Sequence, residues 1–392
     1  MEQKILNKVL SQIKHGTLNI TFWDGREESF GKGTPRVDIR LNSPGILRKA
    51  IRNPSLVFGE SYVNGDIELL SPLEDMLELA QLNPLNLEFG SLLGRIRKLN
   101  KNKKAKQAKY IAHHYDIGNE FYKLWLDPTM SYSCAYFESP NDSLEKAQRQ
   151  KTEHILRKLQ LKPGMQLLDI GSGWGYLLVT AAKKYKIKGL GVSLSREQVK
   201  FAQDLAQREG VDKLVKFEYL NYQDIPPKKK FERVVSVGFF EHVGRDNLDD
   251  YFKVLDCHLL TNGISVLHSI SHKDESPTDP WVDKYIFPGG YLPSVRETTS
   301  LIAKHDFYLF DYENLGQHYG MTIEKWLASY EHNKSKVIGM YDEHFYRMWR
   351  LYLIGAMMTF KTGSSGLSQW TFKKGKGPSW SLTRKYMYSK SN

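Results

Sequence analysis

Between Leu167 and Tyr176 an apolar run, Leu167-Leu168-Asp169-Ile170, leads into a glycine-rich turn, Gly171-Ser172-Gly173-Trp174-Gly175. A helical pattern follows through Leu177, Leu178, Ala181 and Ala182. That succession predicts strand, tight turn and helix, the opening unit of a doubly wound sheet. Glycine serves such a turn twice, by adopting backbone angles that other residues resist and by letting a ligand come close. The helix behind it aims unpaired N–H groups and a partial positive charge at whatever binds there. A glycine turn alone is also compatible with a purely structural bend, so the surrounding pattern has to decide.

Beyond the turn, strand and helix patterns alternate. Strands are expected at Gln166–Ile170, Lys188–Ser193, Val215–Leu220, Arg233–Val237 and Gly263–Ser271, and helices at Tyr176–Tyr185, Ser195–Glu209 and Leu248–Leu260. Such alternation implies a mostly parallel sheet covered on both faces, with ligands bound at the carboxyl ends of its strands. The residues there are Gly171, Ser172 and Gly173 after the first strand, and Ser193, Leu194 and then Gln198 after the second. Asn221, Tyr222 and Gln223 follow the third, an aromatic ring among polar groups suited to a flat heterocycle. Glu241 and His242 follow the fourth, and His268 and Ile270 close the fifth. No acid stands after the second strand, where dinucleotide enzymes place one to grip a ribose. Gln369–Lys373 reads as a last edge strand.

The flanks carry less chemistry. Residues 1–94 read as a small α+β domain, with alternating stretches at Leu18–Phe22 and Val37–Leu41 and a helix from Pro72 to Leu82. Residues 95–109 form a basic linker in which Arg95, Arg97, Lys98, Lys101, Lys103, Lys104, Lys106 and Lys109 occur without an acid. With a net charge of +12, this run fits an anionic membrane surface, RNA or a merely solvated linker. Residues 110–392 would form the catalytic domain. Cys134 and Cys257 give neither a disulfide framework nor a metal-binding spacing. The longest apolar run near the C-terminus, Leu351 to Met358, is far short of the roughly 20 residues that span a bilayer. A cytoplasmic protein is expected.

Four motifs in order, Tyr132-Ser133-Cys134, Leu168 to Gly175, Phe240-Glu241-His242-Val243-Gly244 and Lys284-Tyr285-Ile286-Phe287-Pro288-Gly289-Gly290, make the chain resemble the cyclopropane-fatty-acyl-phospholipid synthases. That family is related to the mycolic acid cyclopropane synthases. The likeness covers essentially the whole chain, including Phe58-Gly59-Glu60-Ser61-Tyr62. It implies a seven-stranded, Rossmann-like methyltransferase domain that uses S-adenosylmethionine. Tyr132 and Ser133 would lie over that donor, Gly171, Ser172 and Gly173 along its amino-acid end, Ser193, Leu194 and Gln198 at the ribose, and Asn221, Tyr222 and Gln223 at the adenine. Asp169 would orient the glycine turn.

The resemblance further implies methyl transfer to a cis double bond of a phospholipid acyl chain, followed by ring closure. The intermediate carbocation must lose a proton, and aromatic faces can stabilise it at about 0.5–2 kcal/mol each. Bound bicarbonate would be the base, held by Glu241, His268, Tyr319 and the N–H groups of Cys134 and Ile270. Glu241 could instead act directly. Plainer readings remain for each: His268 as a hydrogen-bonded core histidine, Glu241-His242 as a helix cap, Cys134 as packing. Some relatives carry a cysteine where this chain has Ala356, so a covalent route through that helix is not expected. Trp281 to Pro293 would close the acyl channel. The expected partners are cis-unsaturated membrane phospholipids at the inner face of the cell membrane and, from the family, a second copy in a homodimer, with no nucleic acid. The alternatives are a methyltransferase acting on an amine or leaving a methyl branch, and a basic RNA-binding protein on this fold.

Overall fold

A computed structural model describes residues 10–50, 53–83, 117–375 and 381–388. The linker 95–109 lies outside the described residues. The chain divides into two compact units, and the division is not sequential. The first contains the described residues up to 83 together with Asp279–Ile286 and Tyr330–Thr359, and the second holds the remainder. Read from the sequence, those two later segments belonged with residues 110–392; by contact they group with the N-terminal residues.

In the first unit, strands β1 (Gly16–Thr21), β2 (Glu27–Lys32), β3 (Arg36–Leu41) and β4 (Ile67–Leu69) form a sheet in the order β2-β1-β3-β4. The alternation in β1 and β3 sends Leu18, Ile20, Val37, Ile39 and Leu41 into one apolar cluster, which is the period of two expected of a half-buried strand. A helix at Pro54–Asn64, not anticipated from the sequence, carries the Phe58 to Tyr62 motif. Its Gly59 has a packing reason, because a Cβ there would fall 2.3 Å from the Trp281 ring. Trp281 belongs to a short helix, Pro280–Tyr285, whose Lys284 and Tyr285 both donate to the Glu60 carboxylate, at 2.6 and 2.8 Å.

The second unit is built on a seven-stranded sheet. Its strands are β5 (Gln166–Ile170), β6 (Lys188–Ser193), β7 (Val215–Tyr219), β8 (Phe231–Val237), β9 (Leu259–His272), β10 (Phe307–Asn314) and β11 (Ser365–Lys374), in the order β10-β11-β9-β8-β5-β6-β7. β5 through β9 run parallel, and β11 pairs antiparallel with both β9 and β10. The strand expected at the edge, Gln369–Lys373, is therefore internal, and β10 takes the edge. The cause is burial on both faces, since Leu367, Trp370, Phe372 and even Lys373 are at most 1% exposed. Its longer helices are α1 (Leu144–Lys158), α2 (Tyr176–Tyr185), α3 (Arg196–Arg208), α4 (Leu248–His258), α5 (Val295–Lys304) and α6 (Gly316–His332), the last of which ends in residues grouped with the first unit. Ser143 and Ser195 cap α1 and α3 by accepting from Lys146 N at 3.2 Å and Gln198 N at 3.3 Å.

Neighbouring residues of the central strands serve opposite cores. Leu168, Val234 and Leu267 pack under Tyr251, Phe252 and Leu255 of α4, whereas Leu167, Val235 and Val266 pack against Leu178, Ala181 and Val199 of α2 and α3. Each such fully buried large side chain contributes roughly 1.5–3 kcal/mol. With β6 and β7 on one side of β5 and β8 and β9 on the other, the chain reverses direction across the sheet at β5, and the cleft described next opens there.

Candidate active site

The Gly171 turn leaves β5 with φ of 79°, and a Cβ on it would meet the Phe239 side chain at 2.6 Å, so glycine is required on both counts. Gly171 N and Ser172 N donate to Val192 O at 3.0 and 3.1 Å, which fastens the turn to β6. Above it lies a cleft holding about 760 Å³ of atom-free space, counted out to its open mouth. Gly171, Ser172 and Gly173 line it from β5, and Ser193, Leu194 and Gln198 from β6 and α3. Tyr132 and Ser133 close it from the segment before α1. Ser193 Oγ donates to Gln198 Oε1 at 2.9 Å, so the two polar groups expected near a ribose form one fixed pair. Rings surround Tyr132: Tyr122, Trp125 and Trp326 lie 5.6, 5.2 and 5.3 Å away between centroids.

Asn221, Tyr222 and Gln223 are not among the cleft's lining residues. Asn221 Oδ1 accepts from Gln223 N at 3.0 Å, and the Tyr222 ring is 1% exposed, edge-on to Phe239 in the core. The aromatic side chain read as a ligand platform thus packs beneath the cleft wall. Residues not anticipated in the wall include Lys151, Trp174, Tyr176 and His242, and Asp169 lines the cleft besides leading into the turn. Trp174 Nε1 donates to Asn119 Oδ1 at 2.7 Å. Lys151 sat in plain view as a polar residue on the inward face of α1, a signal that amphipathic reading discards.

One strand over from the cleft, a second polar group is buried. Gly238, a cleft residue, donates from its N–H to His268 O at 2.8 Å, which ties the end of β8 to β9. His268 is fully buried, with its Nδ1 3.0 Å from Gln369 Nε2; with that amide as donor the ring proton sits on Nε2, a buried atom with no hydrogen-bond partner among the described residues. Burial first, and the positive charges of Lys151 and Lys158 next, hold this imidazole neutral, with its pKa well below the usual value. Glu241 is 8% exposed in the turn after β8. Its Oε1 accepts from Ile270 N at 2.8 Å and the Ser269 hydroxyl also acts on the carboxylate, while Oε2 is buried with no hydrogen-bond partner within bonding distance among the described residues. Burial pushes the Glu241 carboxyl up to about 7, against the Ile270 N–H, which favours the ionised form.

The remaining expected members connect to Ile270 through the backbone. Ile270 stands opposite Leu367 in the β9–β11 register, Leu367 O accepts from Leu315 N at 2.7 Å, and Leu315 O accepts from Tyr319 N at 3.2 Å and from the Cys134 thiol at 3.8 Å. Tyr319 is 8% exposed, with its ring 4.5 Å from that of Phe360. Cys134 is fully buried and its thiol pKa is pushed far up by burial, which leaves little thiolate for nucleophilic chemistry. The Ile270 N–H, expected to face an anion, is engaged by Glu241 instead.

A parallel sheet with an open cleft at its switch point and a glycine turn at the cleft's floor define a nucleotide-type binding fold. The mycolic acid cyclopropane synthase CmaA1, complexed with SAH and CTAB, superposes with a TM-score of 0.65 at 31% identity, over 68% of this chain and 98% of that one. The fold is that of an S-adenosylmethionine-dependent methyltransferase. The sequence profile of the mycolic acid cyclopropane synthetases matches residues 102–370, and a domain of unknown function matches residues 5–86. The cyclopropane-fatty-acyl-phospholipid synthase of Escherichia coli K12 is 38% identical over 349 residues, 88% of this chain and 89% of that protein. A probable fatty acid methyltransferase of Pseudomonas putida is 34% identical over 91% of this chain and 92% of its own length. The chain belongs to the cyclopropane synthase family and is an S-adenosylmethionine-dependent methyltransferase.

Proposed function

We propose that this enzyme transfers the methyl group of S-adenosylmethionine to a cis double bond of a phospholipid acyl chain and closes a cyclopropane ring. In that reaction the alkene carbon attacks the methyl carbon, the sulfonium leaves as a neutral thioether, and the added methyl then loses a proton as the ring closes. The observation that carries this reading is that two buried side chains near the cleft, Glu241 after β8 and His268 on β9, each keep one polar atom with no hydrogen-bond partner among the described residues. Ordinary amine methylation needs no such pair, because its proton can leave to water.

The pair also fits hydrogencarbonate. His268 Nε2–H is a donor for one of its oxygens, and Glu241 Oε2 is an acceptor for its hydroxyl. When bound there, hydrogencarbonate would supply a base of modest strength. Ile270 N–H has the narrower task of fixing Glu241 Oε1 so that Oε2 points one way. Burial keeps His268 neutral and therefore a donor that does not release a proton into the site. In the cleft, Ser193 and Gln198 would meet the donor's ribose, and the turn at Gly171 its amino-acid end. Tyr132, ringed by Tyr122, Trp125 and Trp326, presents the aromatic surface that would face developing positive charge.

The substrate is placed at an anionic membrane surface on the net charge of +12 and its concentration between Arg95 and Lys109. Among the described residues no helix is long and apolar enough to cross a membrane. The test is methyl-labelled donor with vesicles of cis-unsaturated phospholipid, read by mass spectrometry of the acyl chains. The expected product has gained one CH2 and lost its alkene. Label in the head group, or a methyl branch, would overturn the proposal.

A further inference from the structure

Helix α1 turns an unusual face inward. Gln148, Lys151 and Lys158 share one side of it and are 0, 4 and 0% exposed. Two of these have evident work. Gln148 Nε2 donates to the carbonyls of Ser131 and Ser133, at 3.2 and 2.8 Å, and holds the segment that closes the cleft. Lys158 meets Asp311 at 2.9 Å and Glu313 at 2.7 Å, an ordinary buried ion pair.

Lys151 has no such partner. Its Nζ donates to the neutral Ser133 hydroxyl at 3.0 Å, and it forms no ion pair with a carboxylate among the described residues. Asp127 and Asp169 act on it from farther off, and burial lowers its pKa to about 8. A buried ammonium is expensive to keep unless an anion completes its surroundings. Lys151 lines the cleft together with Ser133, Asp169 and the Gly171 turn, the end that takes the donor's amino-acid portion on the proposed function. S-adenosylmethionine carries one anionic group, the carboxylate of that portion, and its amino and sulfonium groups are cationic. Asp169, 2% exposed on the same wall and also without an ion pair among the described residues, complements the neighbouring amino group.

We propose that Lys151 binds the carboxylate of S-adenosylmethionine, so that the cleft selects donors with an intact amino-acid end. The inference rests on the reading of the cleft as the donor site, and the experiment separates the two. The full chain, without lipid, is titrated by calorimetry with S-adenosylmethionine and with its decarboxylated analogue, which keeps the sulfonium and the amine. The wild type is expected to prefer S-adenosylmethionine by about tenfold or more, the equivalent of one charge-assisted hydrogen bond. Lys151→Met is expected to erase that preference by weakening S-adenosylmethionine alone, and Lys151→Arg to restore part of it. Equal weakening of both ligands in Lys151→Met would show a residue that only braces the Ser131–Cys134 segment and would overturn the proposal, as would no weakening of either. Should Lys151→Met fail to fold, the wild type decides, because equal affinity for the two ligands is incompatible with a carboxylate contact. A wild type that binds neither ligand would remove the donor reading itself.

Discussion

The cleft at the Gly171 turn and the buried side chains of Glu241 and His268 lie at the ends of neighbouring strands, yet they are built in opposite ways. The cleft is open, and backbone turns and neutral polar groups supply much of its wall. Glu241 from the turn after β8, His268 from β9 and Gln369 from β11 are by contrast buried side chains, and burial raises the Glu241 carboxyl and lowers the His268 imidazole. A site that only holds a soluble donor tolerates water. A site that must take a proton from a carbocation does not, since water there would trap the cation as an alcohol. On the proposed function, binding falls to the first region and proton handling to the second.

Glu241→Gln is the sharpest attempt to break that division. It leaves the Ile270 contact possible but replaces the acceptor Oε2 with an NH2 or reverses the two. Turnover is expected to fall by about 10²–10⁴, with S-adenosylhomocysteine affinity by calorimetry unchanged within about threefold. His268→Leu should lose on the order of 10² in turnover, and the double variant should be little worse than Glu241→Gln alone, because groups acting as one unit are not additive. Two losses that multiply would separate the residues.

Gly171→Ala attacks the other side of the comparison. Its φ of 79° and the 2.6 Å approach to Phe239 should cost about 2 kcal/mol of stability in a denaturant titration, and S-adenosylhomocysteine affinity should drop with it. Unchanged affinity would detach the turn from the donor. The gentlest probe is pH. Glu241 must be ionised to accept, and its carboxyl titrates at about 7, so turnover should rise between pH 6 and 8 while donor affinity does not follow. The same raised pKa means that the folded state binds more protons than the unfolded one between 4.5 and about 7, so stability is lost as pH rises through that window. Glu241→Gln should therefore melt above the wild type at pH 8, with the gap closing below pH 4.5.

The cleft was largely legible in the sequence because strand, turn and helix are consecutive there. Gly171 to Gly173, Ser193, Leu194 and Gln198 follow from where strands end. Glu241 and His268 were not legible as a site from pattern. Nothing local in His268 or Glu241 distinguishes a proton-handling pair from a core histidine and a helix cap, and only family resemblance singled them out. Other departures share one cause, which is that tertiary neighbours decide burial. Trp370 and Phe372 alternate as an edge strand would, but β10 covers the far side. Tyr222 follows a strand end and still packs into the core. Lys151 is polar and faces inward, where helical periodicity assigns apolar residues.

The central claim is that Glu241 and His268 hold a hydrogencarbonate base and the cleft acts independently of it. It is tested most directly by measuring turnover after exhaustive dialysis against buffer scrubbed of carbon dioxide, then adding hydrogencarbonate back, with S-adenosylhomocysteine affinity followed in parallel. The expected result is a fall in turnover on depletion, recovery on addition, and a donor affinity that stays constant throughout. Turnover indifferent to hydrogencarbonate, or donor affinity that rises and falls with it, would contradict the division of labour between the two sites.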